Sequence, residues 1–345
     1  MAPERTHIYV TIPIRNESSE LASNVQCLVD QEGIEYQDYS LLYLISNTKN
    51  ETATNSPVYK DNIQSLNLLR NFQKVLDPRL TLQILDFTGI SKAPDADSVG
   101  LARRSLVEEV TRIHNNYGLD SAIVATLDAD TWVNKDYISK LKGAFSNTRV
   151  SVVVGSINYR GTDDIPYLEY LYFRIYDTAA ALLKAEPQVS AQSLAFRLDA
   201  YQHVGGFKAI SGGEDIDLGR RLIESEGVIF TDDIVTYPKL RYSDRCAGNG
   251  KLLFEIHQSL MQGKPVNFLM EEEVLSTEQL IARALVGVDF GSDDLSLLVD
   301  DIIRKMKKPS LTFQEINLLF KYRMLRMVER RLQNYPNSSS NNNPT

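Results

Sequence analysis

Two carboxylates separated by one residue, Asp128 and Asp130, follow an apolar stretch at residues 121–126 and precede a polar segment. The apolar stretch predicts a buried strand, and in open α/β sheets ligands bind beyond the carboxyl ends of the strands. A hard divalent cation prefers carboxylate oxygens and shares them with phosphate groups. The pair therefore predicts a cation site. The alternative is that one aspartate caps the next helix and the other is solvated.

A second acidic pair, Glu214 and Asp215, follows two glycines and begins a segment with helical spacing at residues 215–227. Carboxylates in a first helical turn are stabilised by the helix dipole, so capping is one explanation. The other explanation is a general base, because a carboxylate at a rigid helix start could take a proton from an acceptor hydroxyl. The residues alone leave both open.

Two further segments carry groups that could bind a nucleotide. Residues 11–17 (TIPIRNE) run from a strand pattern into a polar turn, where Asn16, Glu17 and backbone groups could hold a base or ribose. Gly100 begins a helical segment in which Arg103 could meet a phosphate. A solvated surface arginine is the alternative for Arg103.

The elements that must position these residues alternate between strand and helix over the first two-thirds of the chain, which predicts an α/β layered domain. A polar loop is predicted at residues 47–59, and Ser18 or Ser19 is predicted to cap the first helix. The predicted strands lie at residues 7–14, 40–46, 80–86, 121–127 and 150–157, and the predicted helices at 18–30, 62–76, 99–114 and 165–183.

The pattern changes after about residue 239, beyond which residues 251–332 predict helices without a strand. We therefore expect a catalytic domain at residues 1–240, a helical region at 241–333 and a disordered tail at 334–345. The basic helix predicted at residues 320–332 could contact anionic lipid at a membrane surface. A solvated or partner-facing helix is the alternative.

Composition excludes several classes of protein. The chain has 345 residues, of which 43% are hydrophobic and 24% charged, so it is neither fibrous nor disordered. Its formal net charge of −8 argues against nucleic-acid binding. The two cysteines, Cys27 and Cys246, are too few for a disulfide framework. With no secretory signal and no long apolar span, we expect a cytoplasmic protein, with peripheral membrane contact through the basic helix as a further option.

In their order and spacing, five blocks resemble the GT-A fold of family 2 glycosyltransferases. They are PIRNE (13–17), GLARRS (100–105), LDAD (127–130), RLDAYQHVGGF (197–207) and GEDIDLGRRL (213–222). The resemblance covers about residues 7 to 235. It implies a Rossmann-like, mixed and mostly parallel sheet flanked by helices, which here continues into a C-terminal helical extension.

The resemblance also implies an activity and roles for individual residues. It implies metal-dependent transfer of a sugar from a UDP- or GDP-sugar to an acceptor hydroxyl, with inversion. Asp215, with Glu214 beside it, would be the catalytic base. Asp130 would ligate Mn²⁺ or Mg²⁺, and Asp128 would share that site and hold the ribose or sugar side of the donor. The other donor-binding positions would be Pro13, Arg15, Asn16, Glu17, Asn47, Gly100 and Arg103.

This chain departs from the family pattern at three places. Asn47 stands where the family has an aspartate that contacts the base, and Arg15 stands where many members have tyrosine. The family's Q-x-x-R-W block is missing, and residues 241–250 follow instead. There Arg241 and Arg245 could clamp phosphates, or the segment could be a polar interdomain loop. Two alternatives to the inverting enzyme remain: a retaining GT-A transferase of the glucosyl- or mannosyl-glycerate synthase type, and a non-catalytic nucleotide-sugar-binding or scaffold protein.

Overall fold

The computed structural model describes residues 6–89, 98–117, 121–158, 160, 189–210, 213–224 and 227–239. The chain divides into two units, and these residues all belong to the unit formed by Met1–Arg160 and Gln188–Lys239. The predicted helix at 165–183, the pair Arg241 and Arg245, the C-terminal helical region and the tail lie outside the described residues. The proposed domain boundaries therefore stay predictions.

The described strands form one eight-stranded sheet. They are β1 (Thr6–Ile14), β2 (Tyr39–Ser46), β3 (Thr81–Phe87), β4 (Ser121–Thr126), β5 (Thr131–Val133), β6 (Val152–Ile157), β7 (Leu194–Arg197) and β8 (Val228–Pro238). The described helices are α1 (Ser18–Val29), α2 (Lys49–Thr54), α3 (Pro57–Val75), α4 (Val99–Tyr117), α5 (Tyr137–Ala144), α6 (Leu198–His203) and α7 (Glu214–Ile223). Short 3₁₀ helices cover Tyr36–Asp38 and Ala191–Ser193.

The strand order is β3-β2-β1-β4-β7-β6-β8-β5. The first four strands in that order are parallel, so their carboxyl ends meet at the same edge of the sheet. Strand β7 runs antiparallel to both β4 and β6, whereas β6 and β8 are parallel. The structure confirms the predicted α/β class with a mixed, mostly parallel sheet between helices.

Both faces of the sheet are covered by apolar side chains, because alternate residues of a strand point to opposite faces. Val10 and Ile12 of β1 pack with Val25 of α1 and Leu141 of α5 on one face. On the other face, Tyr9 packs with residues of α4, α6 and α7. This double burial explains why β1, β2 and β4 read as continuous apolar runs and were predictable from sequence.

The predicted loop at residues 47–59 is wrong, because α2 and the start of α3 lie there. Thr48 and Glu51 form a reciprocal capping box at the start of α2. Ser56 caps α3, and Pro57 occupies its first turn. These residues are polar or helix-breaking by type, yet at a helix start they satisfy the free backbone N–H groups.

The cap predicted for α1 is also wrong. Glu17, not a serine, is the cap residue, and it makes no side-chain capping bond. Ser18 instead uses its N–H and hydroxyl to bind the Asp61 carboxylate. Within the described residues, no helix combines the length and apolar character that crossing a membrane requires.

Candidate functional site

The acidic turn at residues 127–131 lies at the carboxyl edge of the sheet, beyond β4. The Leu127 N–H donates to the Thr11 carbonyl at 3.1 Å, so the chain just beyond β4 is still hydrogen-bonded to β1. The chain then turns, and the Thr131 N–H donates to the Asp128 carbonyl at 3.0 Å. Asp128 and Asp130 are thus held at the edge where ligands of α/β sheets bind.

Arg103 joins three blocks that are far apart in the sequence. From the first turns of α4 it donates one hydrogen bond to Asp128 Oδ1 at 2.6 Å and another to Glu214 Oε1. The Arg103 side chain is only 7% exposed and that of Glu214 only 3%. The Arg103 Nε–H is buried and has no hydrogen-bond partner among the described residues. The structure therefore places one buried positive charge between two carboxylates.

The two aspartates of the turn differ in their surroundings. Asp128 binds Arg103 through one oxygen and the Gln192 amide through the other, at 2.7 Å, and its side chain is 29% exposed. Asp130 is 5% exposed and accepts a 3.5 Å bond from the Thr131 hydroxyl. The described residues contain no group of three or more His, Cys, Asp or Glu that could hold a metal. Mg²⁺ commonly takes one or two carboxylates and completes its shell with water and phosphate oxygens, so a cation held by Asp128 and Asp130 stays a prediction.

The two carboxylates of the second acidic pair, at the start of α7, have different surroundings. Gly213 precedes the helix with φ of +75°, a conformation that glycine adopts without strain. Glu214 then turns inward to Arg103, whereas Asp215 stays partly exposed. The Asp215 carboxylate accepts the Ala191 N–H at 3.1 Å and the Ile216 N–H at 2.9 Å. Asp215 is thus the more accessible member of the pair.

The turn after β1 forms a second polar cluster on the same edge. Asn16 has a φ of 61°, and its N–H donates to Asn62 Oδ1 at 2.8 Å. Asn62 Nδ2 in turn donates to the carbonyl of Ser46 at 2.9 Å and to Asn47 Oδ1 at 2.6 Å. Asn47 is fully buried, and its Nδ2 has no partner among the described residues. The predicted base-contacting residue therefore presents a buried amide donor.

The remaining predicted donor-binding residues have structural partners. Arg15 is paired with Glu51 through two hydrogen bonds of 2.6 and 3.0 Å. Glu17 is buried, and its carbonyl accepts the first hydrogen bonds of α1, while Pro13 is half-buried in β1. Their roles in donor binding stay predictions.

Gly100 is required for the close packing of α4 against the segment after α6. Its N–H donates to the Ile210 carbonyl at 3.1 Å. A Cβ at this position would lie 2.2 Å from the Lys208 carbonyl oxygen. Gly100 therefore positions the start of the helix that carries Arg103.

Sequence reasoning missed Gln192, which binds Asp128, and assigned no role to Arg197. Gln192 precedes β7 and carried no motif signal. Arg197 belongs to a recognised block, yet it is buried and binds the carbonyls of Phe145 and Val150 and the Ser121 hydroxyl. It connects β7 to its neighbours rather than facing the acidic turn.

The described sheet and helices have the GT-A fold, as the comparison with solved structures shows. The 1–349 fragment of S. aureus TarS in complex with UDP-GlcNAc matches with a TM-score of 0.50 at 10% identity, covering 95% of this chain and 92% of that one. The same fragment in complex with UDP gives a TM-score of 0.47 at 10% identity, with the same coverage of both chains. Neither a protein-family model nor a curated protein sequence matches this chain.

Proposed function

We propose that this protein is a glycosyltransferase that moves a sugar from a nucleotide-sugar donor to an acceptor hydroxyl. The observation that carries the proposal is the meeting of Arg103, Asp128 and Glu214 at the carboxyl edge of the sheet. These residues come from three of the blocks that resemble family 2 glycosyltransferases. The fold shared with a TarS fragment solved with UDP-GlcNAc supports a donor of the same chemical class.

The acidic turn would bind the diphosphate of the donor. Asp130, together with Asp128, would hold Mn²⁺ or Mg²⁺, which would supply Lewis-acid stabilisation of the departing diphosphate. Arg103, Asp128 and Glu214 carry a formal charge of −1, and Asp130 adds another −1. This excess of negative charge favours a divalent cation over a bare diphosphate at the turn.

Asp215 would act as general base in an inverting displacement. Its carboxylate would accept the proton of the acceptor hydroxyl while that oxygen bonds to the anomeric carbon and the bond from that carbon to the diphosphate breaks. The two backbone N–H groups that bind Asp215 fix its orientation. Glu214 is committed to Arg103, so we assign it the positioning of that arginine.

Donor binding is tested by thermal unfolding with UDP, GDP and their sugars, each with and without Mn²⁺. A ligand at about 100 times its dissociation constant stabilises the fold by about 2.7 kcal/mol. We expect one nucleotide to raise the midpoint only with Mn²⁺, and Asp130→Asn to remove that rise. The exposed Asp199→Asn in α6 is the matched control and should keep it. If no nucleotide changes the wild-type midpoint, the proposal is wrong.

Catalysis is tested by Asp215→Asn in a transfer assay with the donor so identified. Loss of a general base lowers turnover by about 10²- to 10⁴-fold. Donor affinity should stay near the wild-type value, because the proposed role of Asp215 is to contact the acceptor rather than the diphosphate. Unchanged turnover would remove Asp215 from the mechanism. Proton NMR of the anomeric coupling in fresh product then separates inversion from retention.

A further inference from the structure

The backbone of the acidic turn is held by residues that belong to none of the five blocks. The Asp130 carbonyl accepts two hydrogen bonds, one from Arg160 Nη2 at 2.6 Å and one from the Lys239 N–H at 3.2 Å. A carbonyl held by two donors fixes the peptide plane, and the direction of the adjoining side chain follows from it.

Arg160 is itself held on several sides. Its Nε–H donates to the Tyr237 carbonyl at 3.1 Å, and its guanidinium lies 3.8 Å from the centroid of the Trp132 ring. A second bond from Nη2 reaches Glu20 Oε2 at 2.7 Å. A planar guanidinium that stacks and donates at once is rigid, and lysine does not reproduce this geometry.

Glu20 connects this arginine to α1. Its second oxygen accepts a 2.7 Å bond from Lys239 Nζ, so two cations share one carboxylate that is 14% exposed. Burial by itself raises the pKa of Glu20, but the bonds from Lys239 and Arg160 outweigh it and hold the pKa below its usual value. The carboxylate is therefore charged at neutral pH and keeps Arg160 in place.

Asn24 lies one turn after Glu20 on the same face of α1. Its Nδ2 donates to the Thr131 carbonyl at 2.7 Å and to the Asp128 carbonyl at 3.4 Å. Its Oδ1 accepts the Tyr43 hydroxyl at 2.9 Å, which fixes the orientation of the amide. Asn24 is fully buried, so it has no alternative bonds to water. One face of α1 thus binds the turn directly and through Arg160.

We propose that Glu20, Asn24 and Arg160 are positioning residues that fix the backbone of residues 128–131 and so aim the two carboxylates at the donor diphosphate and its cation. This inference rests on the proposed function. Groups that orient metal ligands without touching the metal commonly change metal affinity by about 10- to 100-fold. The same effect is expected at a turn whose three carbonyls are fixed.

The test compares Arg160→Met with Arg79→Met in the full chain. Arg79 also binds a carboxylate and lies 5.7 Å from the centroid of an aromatic ring, that of Tyr36, but its partner is Asp77 in the turn before β3. Amide exchange at Thr131 and Lys239 is measured together with the dissociation constants of UDP and GDP in the presence of Mn²⁺. We expect Arg160→Met to speed exchange at both amides and to weaken Mn²⁺-dependent nucleotide binding about 10-fold or more, with Arg79→Met near wild type.

A milder variant keeps the test decisive if Arg160→Met fails to fold. Glu20→Gln keeps the side-chain shape and its oxygen acceptor but removes the charge, and should give a smaller change of the same kind. If the amide exchange rates or the nucleotide affinity of Arg160→Met equal those of Arg79→Met, the inference is overturned. A wild-type chain that binds neither nucleotide would overturn the proposed function instead. The part of the inference that orients the carboxylates toward a diphosphate would then be wrong as well. The exchange rates would then still decide whether Arg160 restrains the turn.

Discussion

At the residue scale, the positive charge of Arg103 is shared by two carboxylates of the site, those of Asp128 and Glu214. Its guanidinium and the Glu214 carboxylate are both almost fully buried, and each ion loses several kcal/mol of hydration there. The attraction between them offsets that loss only while both partners are present. The ion pair therefore couples the stability of the first turn of α7 to that of the first turns of α4.

We expect Arg103→Met to lower the free energy of unfolding by about 3–5 kcal/mol, because it leaves the Glu214 charge buried and unpaired. Urea unfolding measures this, with Arg104→Met as the control. Arg104 is adjacent in α4, but its side chain is 53% exposed and its partner Glu108 is 62% exposed. The control should cost less than about 1 kcal/mol.

The double variant Arg103→Met with Glu214→Leu should recover most of the lost stability, since it removes both charges and keeps apolar volume. If the single variant costs no more than Arg104→Met, Glu214 is not dependent on Arg103 for its burial.

The sequence indicated residues of the candidate site where the local sequence pattern itself is distinctive. Asp128 and Asp130 follow an apolar strand, and Glu214 follows two glycines. Gln192 and Asn24 gave no such signal, because their partners lie 64 and more than 100 positions away in the chain. Contacts of that kind depend on strand order, which the local pattern does not specify.

At the element scale, the approach of α4 to residues 208–210 sets the place of Arg103. Gly100 allows this approach because it has no Cβ, and its backbone binds the Ile210 carbonyl. The strand-like runs of β1, β2 and β4 were predictable because both of their faces are buried. Strands β5 and β7 were not, since three and four residues are too few to show a period.

Gly100→Ala is expected to destabilise the fold by about 1–3 kcal/mol, because the new methyl group meets backbone atoms that must move. Gly143→Ala in α5 is the matched control, since a Cβ there has no atom within 4 Å. That control should stabilise the fold by about 0.5–1 kcal/mol through helix propensity. Thermal unfolding of the two variants measures both effects, and a Gly100→Ala variant as stable as the control would contradict the close approach.

At the scale of the whole molecule, stability depends on pH through groups far from the site. His7 lies near the start of β1, with Nε2 2.8 Å from the Ser40 hydroxyl and its ring 4.6 Å from that of Tyr9. Burial lowers the pKa of His7 from 6.5 to about 4, against an opposing effect of Asp38. The imidazole is therefore neutral in the folded protein at pH values where the unfolded chain already binds a proton.

Because the unfolded state takes up the proton first, this contribution is complete above pH 6.5 and is lost as the pH falls toward 4. We expect wild type to lose roughly 3 kcal/mol more stability over that interval than His7→Gln does, from a shift of about 2.5 units. Urea unfolding at several pH values measures the two curves. His203→Gln, at an exposed position in α6, should follow wild type. Parallel curves for wild type and His7→Gln would mean that His7 is protonated alike in both states, and the acid sensitivity of the fold would then have to come from its carboxylates.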